Sequence, residues 1–151
     1  MGKIEDSEVE RRIERFKAAA KDAGVKLTHQ RLEVFRELAS SAEHPDAEDL
    51  LRGVQARMPT VSLDTIYRTL WMLNDLGVIS MLGPRRESVR FDANTSPHHH
   101  CVCVKCGVVR DFESTDLNDV PVPAHVKGFE SVFAAHVEIH GICDSCAHAT
   151  N

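Results

Sequence analysis

The sequence has few aromatic residues, no long apolar run and no cysteine before residue 101. Only one tryptophan and one tyrosine occur among its 151 residues. No apolar stretch approaches the roughly 20 residues that a membrane-spanning helix needs, and residues 1–6 are acidic, without an apolar signal core. We therefore expect a cytoplasmic protein. Thiols stay reduced in that compartment, so clustered cysteines indicate metal or redox chemistry rather than disulfides.

Excess positive charge is also missing, and the two halves of the chain differ in this respect. Residues 1–90 contain 15 Lys/Arg and 15 Asp/Glu, whereas residues 91–151 contain 3 against 8, which accounts for the whole net charge of −5. Seven of the nine histidines follow residue 44, and all five cysteines follow residue 100. We predict two domains: a charge-balanced helical domain over residues 1–90 and an acidic, metal-rich domain over residues 91–151.

Residues 1–90 contain four segments with the apolar spacing of helices, followed by a short hairpin. Thr28, Asp46 and Ser62 are predicted N-caps, Asp49 completes a capping box with Asp46, and Gly77 ends the fourth helix. Gly24 similarly ends the first, Pro59 terminates the third segment, and "VISML" and "ESVRF" flank the turn residues Gly83 and Pro84. The inward positions are predicted to be Val9, Ile13, Phe16, Ala20, Leu32, Phe35, Leu38, Leu50, Leu51, Val54, Ile66, Leu70 and Leu73.

Helices followed by a hairpin are typical of a winged helix-turn-helix domain, in which the helix before the wing enters the major groove of DNA. That helix, about residues 62–76, presents Thr65, Tyr67, Arg68 and Trp71 outward, which suit phosphates, guanine edges and thymine methyl groups. Further backbone contacts are predicted from Lys26, Arg31, Arg85, Arg86 and Arg90. The same pattern also fits a solvated helix face on an unrelated helical domain, and the residues alone leave both possibilities open.

The second half contains two C-x-x-C pairs, Cys103 with Cys106 and Cys143 with Cys146. Two such pairs supply the four sulfurs of the tetrahedral shell that zinc prefers, and Gly107 suits the turn after the first pair. The alternative is a set of buried or redox-active thiols. We predict a structural zinc site that joins the start of this domain to its end.

The stretch "HHHCVC" at residues 98–103 is predicted to supply ligands to a second, separate metal site. In an extended strand His98 and His100 point to one face, while His99, Cys101 and Cys103 point to the other. With Asp92 before the histidines and Asp111 on the next predicted strand, the imidazoles form a mixed N/O donor set that suits Fe²⁺ or Mn²⁺. We expect Cys101 to be a small buried apolar residue and His99 to face solvent.

Taken together, several motifs resemble those of the ferric uptake regulator family of metal-dependent repressors, and most those of its peroxide-sensing branch. They are "GVKLTHQR", "EHPDAEDL", "VSLDTIYRTL", "FD", "HHHCVCVKCG", "RDF" and "HGICDSC", which extend over nearly the whole chain. The resemblance implies an α+β architecture: an N-terminal winged helix that binds palindromic operators, and a small α/β domain that forms a homodimer around a Cys₄ zinc. It also implies that the regulatory metal is bound by His44, Asp92, His98, His100 and Asp111, which would link the two domains.

The resemblance further implies how such a protein would respond to peroxide. Asp92 and Asp111 match the peroxide-sensing branch, where iron-uptake regulators have Glu. In that branch bound Fe²⁺ reacts with peroxide and a ligand histidine is oxidised; the matching positions are His44 and His98. The chain departs from the family pattern at Arg68, which is typical of iron-uptake regulators, and at His29, where a proline is common.

A third metal site of the family would need ligands at positions occupied here by Asn118 and Ala135, so we expect it to be absent, with His136 facing the other side of its strand. The remaining histidines, His125, His140 and His148, are expected to be surface or packing residues. Alternative functions are a regulator that senses ferrous iron or zinc by occupancy alone, a non-haem iron enzyme, and a zinc-stapled interaction module that does not bind DNA. We expect a regulator and not an enzyme, since no separate catalytic constellation is present.

Overall fold

The computed structural model describes residues 4–82, 89–95, 98–132 and 137–149. The chain divides into two compact units, Met1–Thr95 and Ser96–Asn151. The expected wing contacts Arg85 and Arg86, the turn residues Gly83 and Pro84, and the positions Ala135 and His136 all lie outside the described residues. No helix in the described ranges is both long and apolar enough to cross a membrane.

The first unit contains the four helices that the sequence predicts, each of the last three begun by its predicted cap. Thr28 and Ser62 accept hydrogen bonds from the backbone N–H groups of Arg31 and Thr65. Asp46 and Asp49 form the predicted reciprocal capping box. The helices are α1 (Asp6–Asp22), α2 (His29–Ala39), α3 (Ala47–Gln55) and α4 (Leu63–Asp75).

Glycines end the first and last of these helices. Gly24 and Gly77 have φ angles of 69° and 74°, in the left-handed region that glycine enters without steric cost. In each case the glycine N–H and the following N–H donate back to carbonyls in the last turn, which is the Schellman pattern. The chain after Gly77 then enters β1 (Ser80–Leu82), which pairs antiparallel with β2 (Arg90–Asp92), as predicted for a wing.

One apolar core holds this unit together. Eleven of the thirteen predicted inward positions are buried, and the other two, Leu32 and Leu51, are half-buried and pack against the same core. Phe16 of α1 and Phe35 of α2 lie at its centre, with ring centroids 4.9 Å apart. Phe91 of β2 joins this core, so the wing is fixed to the helices by apolar burial as well as by hydrogen bonds.

The second unit is a three-stranded sheet with two short helices. β3 (His99–Cys103) lies in the centre, antiparallel to β4 (Val109–Phe112) and parallel to β5 (Glu138–Gly141), and α5 (Thr115–Asn118) and α6 (Asp144–Ala147) are single turns. The α+β class with a winged-helix N-terminal unit is therefore confirmed. Among the described residues of this unit only His99, Val102, Cys103 and Val109 are buried. So small a core needs a further source of stability.

Candidate functional site

The four cysteines of the two C-x-x-C pairs lie together in the second unit. Their sulfur atoms all fall within 4.8 Å of one another. Cys106 Sγ and Cys143 Sγ are 3.7 Å apart, far beyond a disulfide bond and close to the roughly 3.8 Å edge of a tetrahedron with Zn–S bonds of about 2.3 Å. The donor set and its spacing fit a zinc ion.

Backbone geometry brings these sulfurs together. The first pair lies on the turn after β3, closed by the hydrogen bond from Gly107 N–H to the Cys103 carbonyl. The second pair lies at the start of α6, and Cys143 N–H donates to Cys103 Sγ at 3.3 Å. This contact and the N–H of Cys106 lower the pKa of the Cys103 thiol to about 6. Hydrogen bonds with Cys143 and Cys106 raise the pKa of Cys146 to about 12, so its proton is one that a metal would displace.

The opposite face of β3 carries a second donor group. His98 Nε2 and His100 Nε2 are 3.1 Å apart, and their rings meet edge to face. Asp111 Oδ1, from the neighbouring strand β4, lies 3.2 Å from His100 Nε2 and 3.8 Å from His98 Nε2. Ligand bonds of about 2.1 Å place donors about 3.0–3.4 Å apart around one ion. The predicted alternation of side chains is thus found. The His98–His100 and His100–Asp111 separations fall in this range, whereas His98 and Asp111 are farther apart, so His100 fits one divalent ion together with either neighbour.

The first unit also contains a histidine and an aspartate side by side, His44 and Asp92. Their side chains are 4% and 7% exposed, and His44 Nε2 lies 3.6 Å from Asp92 Oδ2. His44 adopts a φ of 51°, a left-handed conformation that is uncommon for a residue other than glycine. Such strain persists only where the surrounding structure imposes it, and it concentrates at functional sites.

Neighbouring backbone contacts explain this placement. Arg90 Nη1 donates to the His44 carbonyl at 3.2 Å, and Phe91 N–H donates to the Pro45 carbonyl at 3.0 Å. The segment before α3 is therefore attached to β2. Asp92 Oδ1 accepts from Asn94 N–H at 2.8 Å, so its other oxygen, Oδ2, is the one directed at His44. Arg90, predicted as a DNA contact, thus holds the backbone of His44.

Two predictions about the sulfur-bearing face of β3 are wrong. His99 does not face solvent: it is 7% exposed, stacks against Phe112, and its Nε2 donates to Asn118 Oδ1 at 2.7 Å. Cys101 is half-buried rather than buried, and it lines a cavity of about 540 Å³ next to the four-cysteine group, together with Arg110. His99 is therefore buried where exposure was expected, and Cys101 is only partly buried where burial was expected.

The residues predicted to contact DNA, and the remaining histidines, differ in their exposure. Tyr67 and Arg68 of α4 are exposed, and Trp71, one turn on, is 52% exposed. Thr65 is half-buried, and its hydroxyl hydrogen-bonds to the cap Ser62 at 3.0 Å. Lys26 is exposed, while the half-buried Arg31 donates to the Lys26 carbonyl. His125, His140 and His148 are exposed, as expected, and belong to neither metal-ligand group within the described ranges.

A winged-helix unit followed by a sheet unit with two kinds of metal ligand defines a metal-binding transcriptional regulator. The chain belongs to the ferric uptake regulator family: a profile of that family matches residues 22–140. It is 34% identical over 144 residues to the peroxide-responsive repressor PerR of Staphylococcus aureus (strain USA300), covering 95% of this chain and 97% of that protein. The predicted family is thereby confirmed, and with it the expectation of a regulator and not an enzyme.

Solved structures give the same result. The Helicobacter pylori ferric uptake regulator Fur, described as having three functional metal binding sites, superposes with a TM-score of 0.74 at 25% identity, over 100% of both chains. PerR from Streptococcus pyogenes, described in connection with peroxide sensing and gene regulation, superposes with a TM-score of 0.52 at 27% identity, over 96% of this chain and 95% of that one.

One relevant contact was not predicted from the sequence. Asp64 lies in the first turn of α4, and its Oδ2 is 2.9 Å from Arg68 Nε. The spacing of four residues on a helix is the signal that predicts this ion pair.

Proposed function

We propose that this protein is a metal-dependent transcriptional repressor that senses peroxide through its regulatory metal site. The observation that carries the proposal is the buried His44–Asp92 pair on a strained backbone in the unit that also holds the recognition helix. Neither side chain belongs to the apolar core of this unit, and burying two titratable groups costs free energy unless they are bound to a partner. As metal ligands, however, these side chains would make DNA binding depend on an ion.

The DNA-binding step would use the outward face of α4. Tyr67, Arg68 and Trp71 lie exposed on this helix, and they offer a guanidinium to guanine or phosphate and apolar rings to thymine methyl groups. Lys26 and Arg31, joined at the start of α2, would contact the phosphate backbone. Thr65, in the first turn of the recognition helix, would also contact the DNA. A homodimer presents two such helices, which is why a palindromic operator is expected.

The regulatory ion would be held by five residues contributed from both units. His44 and Asp92 would come from the first, and His98, His100 and Asp111 from the second. An ion that binds one arrangement of the two units better than the others shifts the population toward that arrangement. Metal and operator must then raise each other's affinity by equal factors.

The nitrogen and oxygen donors of this site suit Fe²⁺ or Mn²⁺ better than soft thiolate ligands would. Bound Fe²⁺ would supply the redox chemistry that cleaves the O–O bond of peroxide, so that one peroxide oxygen is added to an imidazole carbon and the other leaves as water. His44 and His98 are the imidazoles proposed to gain an oxygen atom. An oxidised ring is a poorer metal ligand, so the regulatory ion would be lost and repression would end. Mn²⁺ would support DNA binding without this chemistry.

The four-cysteine group would hold a structural Zn²⁺ in each subunit. It joins the turn after β3 to the start of α6, so its zinc would stabilise the unit through which the chain forms a homodimer. A cytoplasmic location, where thiols stay reduced and available to zinc, is part of this proposal.

The proposal is tested by measuring operator affinity of the Mn²⁺ and Fe²⁺ forms, before and after stoichiometric peroxide. We expect both forms to bind, and only the Fe²⁺ form to lose affinity on treatment. Mass spectrometry should then find one added oxygen on a peptide that contains His44 or His98. An Fe²⁺ form that stays unmodified and bound to DNA would exclude peroxide sensing and leave a regulator that senses metal occupancy, which Arg68 also fits. Catalytic turnover of peroxide would instead favour an enzyme.

A further inference from the structure

The recognition helix carries an unusual charge for an element that enters DNA. Among the residues of α4, Arg68 is the one cation, against Asp64 and Asp75. The net charge of the helix is therefore 1 − 2 = −1. Phosphate attraction supplies most of the non-specific affinity of DNA-binding proteins, and an exposed carboxylate opposes it. A carboxylate that faces the groove must serve another purpose than affinity.

Asp64 is attached to the one cation. Its Oδ2 lies 2.9 Å from Arg68 Nε, one helical turn away, and the two side chains are 71% and 81% exposed. Because both are so exposed, the pair contributes little to the folding of the unit. It lies on the same outward face as Trp71, which is the face that the proposed function directs at the major groove.

The choice of nitrogen matters. Nε is the inner nitrogen of the guanidinium, so a carboxylate bound there leaves the outer edge, formed by Nη1 and Nη2, available to a base. Two parallel N–H donors on that edge match the O6 and N7 acceptors of guanine, the commonest specific contact of arginine in the major groove. A guanidinium fixed in this way loses less conformational freedom when it binds a base.

We propose that Asp64 is a positioning residue that orients Arg68 to read a guanine in each operator half-site. The proposal rests on the DNA-binding function proposed above and adds its specificity determinant. Without Asp64 the arginine side chain can swing to neighbouring phosphates instead. Loss of Asp64 therefore strengthens binding to unrelated DNA and weakens the preference for guanine.

A purely structural role for Asp64 predicts a different result. An acidic residue in the first turn stabilises a helix through its dipole, and its loss would lower stability and affinity for every sequence alike. Base preference is a readout that this role does not change. Asp75 provides a matched control, since it is exposed at the other end of α4 and its replacement removes the same charge.

The test compares wild-type protein with Asp64→Ala, Asp75→Ala and Arg68→Lys, each loaded with Mn²⁺. In vitro selection from a duplex library with random positions first gives the sequence that the wild type prefers. Fluorescence anisotropy then measures affinity for that duplex, for duplexes in which each selected guanine is replaced by 7-deazaguanine, and for an unselected duplex.

For the wild type we expect one guanine per half-site whose N7 removal costs about tenfold in affinity. Asp64→Ala and Arg68→Lys should reduce this to threefold or less, whereas Asp75→Ala should retain it. Both aspartate variants should bind the unselected duplex more tightly, and Asp64→Ala by the larger factor, because it also frees Arg68 to contact phosphates. An Asp64→Ala protein that keeps the full wild-type guanine preference overturns the proposal while leaving the repressor function intact. If the wild type selects no sequence at all, the proposed function itself fails and this inference fails with it.

Discussion

Replacing Cys143 by serine should remove the structural zinc and with it the stability of the second unit. The unit buries only four of its described side chains, and Cys143 stands at the junction of both cysteine pairs, contacting Cys103 through its N–H and Cys106 through its sulfur. A structural zinc site is worth about 10–16 kcal/mol at pH 7 in small zinc-binding peptides. Cys143 is one of four ligands. If each contributes a quarter of that free energy, its loss lowers zinc affinity by roughly 10²- to 10³-fold, at 1.4 kcal/mol per factor of ten.

The assay is competition for zinc with a chromogenic chelator, followed by thermal unfolding of the same samples. Cys101→Ser is the matched control, because Cys101 lies on β3, the strand of Cys103, but outside the four-cysteine group. We expect Cys101→Ser to retain zinc and to unfold like the wild type, whereas Cys143→Ser loses zinc and dissociates to monomers at lower temperature. Equal zinc affinity in the two variants would refute the four-sulfur site.

Three further predictions concern the regulatory site and the recognition helix. His44→Ala should lower Mn²⁺ affinity by at least about tenfold and abolish Mn²⁺-stimulated operator binding, with His125→Ala as the exposed-histidine control; unchanged stimulation in His44→Ala would eliminate this residue as a ligand. Asp111→Glu should keep Mn²⁺-dependent DNA binding but slow the loss of repression by peroxide in the Fe²⁺ form, as measured by the time course of operator release; equal rates would contradict a role for carboxylate length. Trp71, the single tryptophan, should change its fluorescence when a selected duplex is added, and a constant spectrum at full occupancy would place it outside the interface.

Features that depend on residues close in sequence were predictable. The caps Thr28, Asp46 and Ser62 act on backbone groups three residues away, so local chemistry determines them. The alternation of donors along β3 follows from the geometry of any extended strand, and it correctly separated His98 and His100 from the cysteines. To place the two C-x-x-C pairs at one site, it was enough to assume that the start and the end of the second domain lie together.

Features that depend on distant contacts were not predictable from the residues themselves. His44 and Asp92 are 48 positions apart, and nothing in their local sequence indicates that β2 returns to the segment before α3. Only the family resemblance identified His44. The burial of His99 was missed for the same reason, since it results from Phe112 and Asn118 on other elements. Alternation fixes which face a side chain occupies, but not what covers that face.

Strand β3 carries residues of both proposed metal sites, so we expect metal binding at the two sites to be linked. Cys103 on one face belongs to the four-cysteine group, and His100 on the other face lies beside Asp111 of the adjacent strand, with His98 directly before β3. Loss of zinc should release the end of β3 and misalign the imidazoles. We therefore expect zinc-free protein to bind Mn²⁺ more weakly than zinc-loaded protein.

Linkage then requires the reverse effect: saturating Mn²⁺ must raise zinc affinity by the same factor. The two effects will look unequal in simple occupancy measurements, because a zinc site of such affinity stays filled whether or not Mn²⁺ is present. Chelator competition with and without Mn²⁺ measures the effect of Mn²⁺ on zinc affinity directly, provided that the chelator's own affinity for Mn²⁺ is measured separately. A zinc affinity that does not respond to Mn²⁺, beside a Mn²⁺ affinity that does not respond to zinc, would mean that the two faces of this strand act independently.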